Sequence, residues 1–135
     1  MTEEEHVRLI RRMFDAFARG DIPAVLDLLC DDIEWAVQGP SSIPYAGKWR
    51  GKGRVQEFFK KLSEATELLE FVPAAFIAEK NRVVVLGHEK GRARKTSREY
   101  DNPWAMVYTF NQGKVAGFRE YIDTAAVAGA LAADT

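Results

Sequence analysis

The residue in this chain best suited to moving a proton is Glu120, in the segment Phe118-Arg119-Glu120-Tyr121 near the C-terminus. Arg98–Phe110 and Val115–Ile122 read as strands, joined by the turn signal Asn111-Gln112-Gly113. With Asn111 and Gln112 in a type I turn and Gly113 as a left-handed bulge, Phe110 lies opposite Lys114 and Trp104 faces Glu120. The same register sets Met106 opposite Phe118 and Asn102 opposite Ile122, all on one face, while Arg119, Tyr121 and Asp123 take the other. A carboxyl held among Trp104, Phe118 and Trp35 has its charged form disfavoured by desolvation. Its pKa then rises toward the range useful for proton transfer. Two alternatives stand beside this reading: a two-residue Gln-Gly turn, which pairs Ala105 with Glu120, and a structural Glu120 held by an arginine or a buried hydroxyl.

The second candidate is His88, which shares a strand face with Val84 and Leu86 in Val83–Glu89. It reads either as a satisfied core histidine or as an acid–base group. In meander order it lies two strands from Glu120, about 10 Å at ~4.8 Å per strand. That is too far for a direct bond, but the two could hold opposite ends of a small substrate as base and acid. Asn102 is placed to donate a hydrogen bond to a carbonyl, and Trp35, Trp104, Met106 and Phe118 form an apolar wall. Tyr45 and Trp49 sit on a long Gly- and Pro-rich stretch, 39–53, read as a lid over a cavity or as a loop pinned to its own domain. His6, in the first helical turn, reads as a solvated surface residue.

Other chemistries find little support. Two histidines and the single Cys30 show no metal-ligand spacing, and Gly47 to Gly53 lacks the spacing of a phosphate loop. The basic run Lys90, Arg92, Arg94, Lys95 and Arg98 falls around a hairpin, where such residues solvate a tip. A net charge of −1 provides no field to attract nucleic acid or an anionic membrane. The expectation is no metal, no cofactor, no nucleic acid and no membrane.

These residues must be positioned by a small fold. The 135 residues leave room for one domain, 1–135, with one core. Thr2 and Glu5 form a capping box ahead of a helix in which Val7, Ile10, Phe14 and Phe17 recur at helical spacing, ending at Gly20. Asp21 caps a short second helix, Ile33, Trp35 and Val37 alternate as a strand, and Arg54–Glu64 forms a third helix. The rest reads as four antiparallel strands and an Ala-rich terminal helix, Ala125–Ala132. Helices early and strands late predict an α+β domain, with helices covering one face of a curved sheet. The run Val83-Val84-Val85-Leu86 is apolar on both faces, so the outer face needs cover from a second copy of the chain, from loops or from the terminal helix. No apolar run approaches the ~20 residues needed to span a bilayer. The acidic start MTEEEH and the lone cysteine point to the cytoplasm.

The order of elements, with the segments ARGDIPAVLDLLCDDIEW, PYAGKWRGKGRVQEFFKKL and FNQGKVAGFREYIDT, resembles the SnoaL-like branch of the nuclear transport factor 2-like superfamily. The resemblance covers almost the whole chain. It implies a cone of bent mixed sheet wrapped around N-terminal helices, a cystatin-like α+β roll with a central pocket, usually in homodimers. It also implies cofactor-free isomerase, cyclase, dehydratase or hydrolase chemistry on an apolar organic substrate, or a binding domain without chemistry. Glu120 matches the place where the family's epoxide hydrolases carry a basic carboxylate in a similar aromatic-Arg-acid-Tyr context. Departures are Met13 where the steroid isomerases have a tyrosine, no aspartate in Glu34-Trp35-Ala36, and Gly87-His88-Glu89-Lys90 where the epoxide hydrolases have an Arg-x-Asp pattern. The aldol cyclases pair an aspartate with a histidine, of which Glu120 and His88 are a loose analogue.

Overall fold

A computed structural model describes residues 1–132, so the last three residues of the expected domain lie outside the described residues. The elements run α1 (Glu3–Ala18), α2 (Ile22–Asp27), β1 (Leu29–Val37), β2 (Gly47–Arg50), α3 (Lys52–Ala65), β3 (Thr66–Glu79), β4 (Arg82–Ala93), β5 (Glu99–Asn111), β6 (Lys114–Tyr121) and α4 (Thr124–Leu131). Local signals explain their edges. The Thr2 hydroxyl accepts from the Glu5 N–H and the Glu5 carboxylate from the Thr2 N–H, so α1 starts on a reciprocal cap. Asp21 and Asp123 cap α2 and α4 with a single bond each, their carboxylates accepting from the Ala24 and Ala126 N–H.

The six strands form one curved, unclosed sheet in the order β2-β1-β6-β5-β4-β3. β1 runs parallel to β6 and every other pairing is antiparallel. The sheet is therefore mixed, as expected of the α+β roll, because the parallel pair is joined by the long crossover from β2 to β5. Helix α1 packs on β3 and β4, and α3 on β1 and β2, covering the inner face. The expected loop 39–53 is shorter than it reads, since its second half forms edge strand β2 and the first two residues of α3.

The hairpin between β5 and β6 differs from the expected one. Asn111 pairs with Lys114, so the loop is the two residues Gln112 and Gly113, at φ 50 and 81. Two consecutive left-handed residues make a type I′ turn, whose twist suits a hairpin. Ala116 is then an extra residue in β6, between Phe110↔Val115 and Thr109↔Gly117. Turn and bulge each shift the pairing by one. Met106 consequently faces Glu120 and Tyr108 faces Phe118, instead of Trp104 with Glu120 and Met106 with Phe118. Because two single-residue shifts leave the alternation unchanged, Glu120, Phe118, Met106, Trp104 and Asn102 still share the inner face.

Two other readings are corrected. His6 is buried, not solvated: its ring stacks on Phe110 at 4.1 Å and its Nδ1 lies 3.2 Å from the Lys80 carbonyl. The basic hairpin is tied into the fold. Arg92 bridges Glu67 and Glu99, Arg94 donates to the Ser63 carbonyl at the end of α3, and Arg98 donates to the Gly129 and Ala132 carbonyls at the end of α4.

Asn is better suited than Gln to the left-handed first position of a type I′ turn. Gln112→Asn should stabilise the protein by about 0.5 kcal/mol, read as a raised urea midpoint with an unchanged slope.

Candidate functional site

Alternation along β4, β5 and β6 decides what reaches the interior. Glu120 on β6, Asn102, Met106 and Tyr108 on β5, and Glu89 on β4 all face inward. With Trp35, Tyr45, Phe71 and Phe118, and with Met13, Phe14 and Phe17 of α1 and Phe58, Phe59 and Leu62 of α3, they line a cavity of about 60 Å³. Half of the lining residues are aromatic, and most of the others are aliphatic or thioether side chains. Trp35 stacks on Phe118 at 3.8 Å between ring centroids, with Phe58 and Phe59 at 5.6 Å. A space of this size holds a few waters or one small ring.

Into this apolar space the fold brings two carboxyl groups. Glu120 is 8% exposed, and no group among the described residues hydrogen-bonds its side chain. Burial pushes its pKa to about 8, with the nearby charge of Glu89 adding to the effect. Glu89, also 8% exposed, is pushed to about 7 by burial, against the lowering effect of its hydrogen bond from Asn102. Both carboxyls face one cavity and the charge of Glu89 raises the pKa of Glu120, so ionising both at neutral pH is disfavoured. Burial also raises the hydroxyls around them: Tyr108, which donates to Met106 Sδ at 3.3 Å, then Tyr45 and Tyr100.

Asn102 links the pair to the frame. Its Nδ2 donates to Glu89 Oε1 at 3.3 Å, and its Oδ1 accepts the Asp123 N–H at 2.7 Å, where β6 gives way to α4. The sequence reading assigned Asn102 to a substrate carbonyl; its amide instead holds Glu89.

Of the expected site residues, Glu120, Asn102, Trp35, Tyr45, Met106 and Phe118 meet at the cavity. His88 does not. It lies on the outer face of β4 with its side chain half-exposed, 3.8 Å from Glu70, because the face it shares with Val84 and Leu86 is the one turned away from the helices. It cannot act with Glu120 on one substrate. Trp104 is buried as expected but stands aside from the cavity wall, stacked on Phe71 at 5.2 Å. Trp49 is buried against Phe58 beneath Arg54 and donates to the Tyr45 carbonyl at 3.2 Å. The lid reading of Tyr45 and Trp49 therefore gives way to a segment pinned on its own domain, since β2 pairs along β1 and leaves neither ring exposed. Glu89 was missed. The signal for it was Gly87-His88-Glu89-Lys90-Gly91, where glycines two residues to either side of an acid mark a strand face open to close approach.

The comparisons agree with this architecture. Residues 10–118 match the family described as the SnoaL-like domain. A solved NTF2-like protein from Burkholderia xenovorans is 36% identical, covers 98% of this chain and 99% of its own, and superposes with a TM-score of 0.89. A second solved NTF2-like protein, of unknown function, from Burkholderia pseudomallei, is 28% identical over 98% of this chain and 100% of its own, with a TM-score of 0.86. An uncharacterised protein of Mycobacterium tuberculosis is 28% identical over 93% of this chain and 95% of its own. The chain belongs to the SnoaL-like domain family.

The carboxyl pair makes stability depend on pH with a definite sign. Both folded-state values lie above the unfolded value of 4.5, so the folded state holds more protons between pH 4.5 and 8 and stability falls as pH rises through that window. Glu120→Gln removes the cost of a buried charge. Its stability relative to the wild type should rise from pH 5 to pH 9 by at least ~1 kcal/mol, measured by urea denaturation at each pH. His88→Ala, on the outer face, should change stability by less than about 0.5 kcal/mol and leave that pH dependence in place.

Proposed function

From membership of the SnoaL-like domain family and the buried acid pair, we propose that this protein is a cofactor-free acid–base enzyme acting on a small apolar organic molecule held in its cavity. The observation that carries the reading is the Glu120 carboxyl, buried among aromatic rings without a hydrogen-bond partner among the described residues. A structural glutamate would be satisfied by an arginine or a hydroxyl. One left unsatisfied, with a pKa near the working pH, is poised to exchange a proton with a molecule that displaces the cavity water.

In this reading Glu120 is the catalytic residue. Ionised, it removes a proton from an acidic carbon or an attacking water; protonated, it returns one. Isomerisation, cyclisation, dehydration and hydrolysis all begin with such a transfer. Glu89, with the lower pKa of the two and a hydrogen bond from Asn102, ionises first, and its charge helps to hold the proton on Glu120. Trp35, Phe118 and Met106 form the apolar bed, and Tyr45 and Tyr108 supply the remaining polar contacts. The reading requires no metal or cofactor and has no nucleic-acid or membrane partner; no helix among the described residues is long and apolar enough to cross a bilayer.

We assign the outer sheet face to a second copy of the chain. Ile77, Leu86 and Tyr121 are 53%, 43% and 45% exposed there, and Val84 and Val107 lie between them on neighbouring strands. Exposed apolar side chains grouped at the centre of a sheet face, rimmed by Arg82, His88 and Arg119, suit a protein contact surface. Leu86→Glu should convert dimer to monomer in sedimentation equilibrium, without loss of the helix and strand signals in circular dichroism.

The catalytic reading is tested by exchange of acidic C–H protons in small cyclic ketones and lactones dissolved in D₂O. The wild type should exchange at least one of them, with a rate that rises with pH through the range 7–8 as the pair loses its proton. Glu120→Gln should lower that rate on the order of 10²-fold or more. A variant that keeps both the rate and the affinity overturns the assignment; affinity without exchange in either protein would identify a binding domain.

A further inference from the structure

The pairing of β4 with β5 sets two alternating patterns against each other. Gly87 lies opposite Trp104, Glu89 opposite Asn102, and Gly91 opposite Tyr100, all on the inner face. The rings do not stand beside the glycines but lie across them. A Cβ at Gly87 would sit 2.4 Å from Trp104 Cη2 and 2.5 Å from the Val72 carbonyl oxygen, and one at Gly91 would sit 2.4 Å from both Cζ and the hydroxyl of Tyr100. Neither glycine has a left-handed φ, so the small residue serves the close approach and not the backbone conformation. Glu89 is the inner-face residue between them, and thus stands between two rings that cover β4 on either side of it.

Each ring is itself held. Trp104 stacks on Phe71, and the Tyr100 hydroxyl lies 2.7 Å from Thr66 Oγ1, which donates to the Arg92 carbonyl. The far side of the slot is closed by Asn102, whose amide takes Glu89 Oε1. Water is kept from the flanks of Glu89, and its carboxyl is directed at the cavity it shares with Glu120. Glu89 and Glu120 together thus differ in freedom: one is clamped, the other has no partner.

We propose that Gly87 and Gly91 are positioning residues of the site, whose missing side chains admit Trp104 and Tyr100 as the two walls of a dry slot that fixes Glu89 at the cavity it shares with Glu120. The inference rests on the acid-pair reading above and deepens it, by assigning the proton exchanged with substrate to Glu120 and the charge that tunes Glu120 to a clamped Glu89. The titratable groups facing Glu89 are Glu120 on β6, Tyr100 on β5 and Tyr45 between β1 and β2. Its neighbours His88 and Lys90 turn to the outer face. Helices α1 and α3 bring only Met13, Phe14, Phe17, Phe58, Phe59 and Leu62 to the cavity, none of them ionisable.

The test reads the two carboxyls directly, by pH titration of their carbon-13 NMR signals in the whole protein labelled at glutamate. In the wild type both should titrate well above the ordinary carboxylate range. Gly91→Ala forces the Tyr100 ring aside and should lower the Glu89 midpoint by about one unit as water enters. Tyr100→Leu opens the same wall without altering the strand, and should give the same shift if the alanine variant fails to fold. Gly117→Ala is the control, because a Cβ there meets only Thr109 at an ordinary 3.5 Å and the residue lies away from the slot. It should leave both midpoints in place. A folded Gly91→Ala or Tyr100→Leu protein with unmoved midpoints overturns the inference, as does a Gly117→Ala shift of equal size. None of these readouts involves turnover, so loss of exchange activity in Glu120→Gln and failure of the slot are separately visible.

Discussion

The arrangement depends on the cost of taking a carboxylate out of water. An ionised carboxyl without a partner in an apolar interior loses several kcal/mol of solvation, and it meets that cost by holding its proton. Glu120, without a partner, and Glu89, with the single bond from Asn102, both have their pKa raised by burial, whereas an exposed glutamate is ionised at neutral pH. The aromatic residues of α1 and α3, the stacked pair Trp35 and Phe118, and the rings of Trp104 and Tyr100 all keep water from Glu89 and Glu120. Loosening any of them would let the pair ionise and return it to ordinary surface chemistry.

The same constraint explains the use of Asn102. A buried amide with two satisfied partners is an orienting group, and its bond from the Asp123 N–H couples Glu89 to the point where β6 passes into α4. The Asp123 side chain caps α4, whose far end is held by Arg98 and Thr96 from the β4–β5 turn. The terminal helix, often a loose appendage, is in this way part of the frame that holds the site. Three of the basic residues around that turn, Arg92, Arg94 and Arg98, are held by the fold itself.

Much of the fold was legible in the residues. The capping box at Thr2, the glycine after α1, the alternation of Ile33, Trp35 and Val37 and the late run of strands are local signals that the structure reproduces. They led to an α+β domain with a curved sheet because helical and strand periodicities depend on near neighbours, while the mixed sheet was implied only by the family resemblance. The inner-face assignment of Glu120 survived an error in the turn, since the type I′ loop and the bulge at Ala116 shift the pairing in the same direction by one residue each. The partners did not survive it: Met106, not Trp104, lies opposite the acid.

By itself the sequence determined the order of the elements other than β2, the family resemblance and the presence of an inward-facing acid on the last strand. Which face of β4 turns inward was decided only by tertiary structure, because both faces of Val83-Val84-Val85-Leu86 are apolar and alternation alone cannot choose between them. That choice sent His88 outward to Glu70 and brought Glu89 in to Asn102. The burial of Tyr45 and Trp49 was decided there as well, since an edge strand four residues long carries too weak a local signal to distinguish it from a loop. A proton-transfer site depends on which groups share a cavity, and that is a property of pairing between strands distant in the chain.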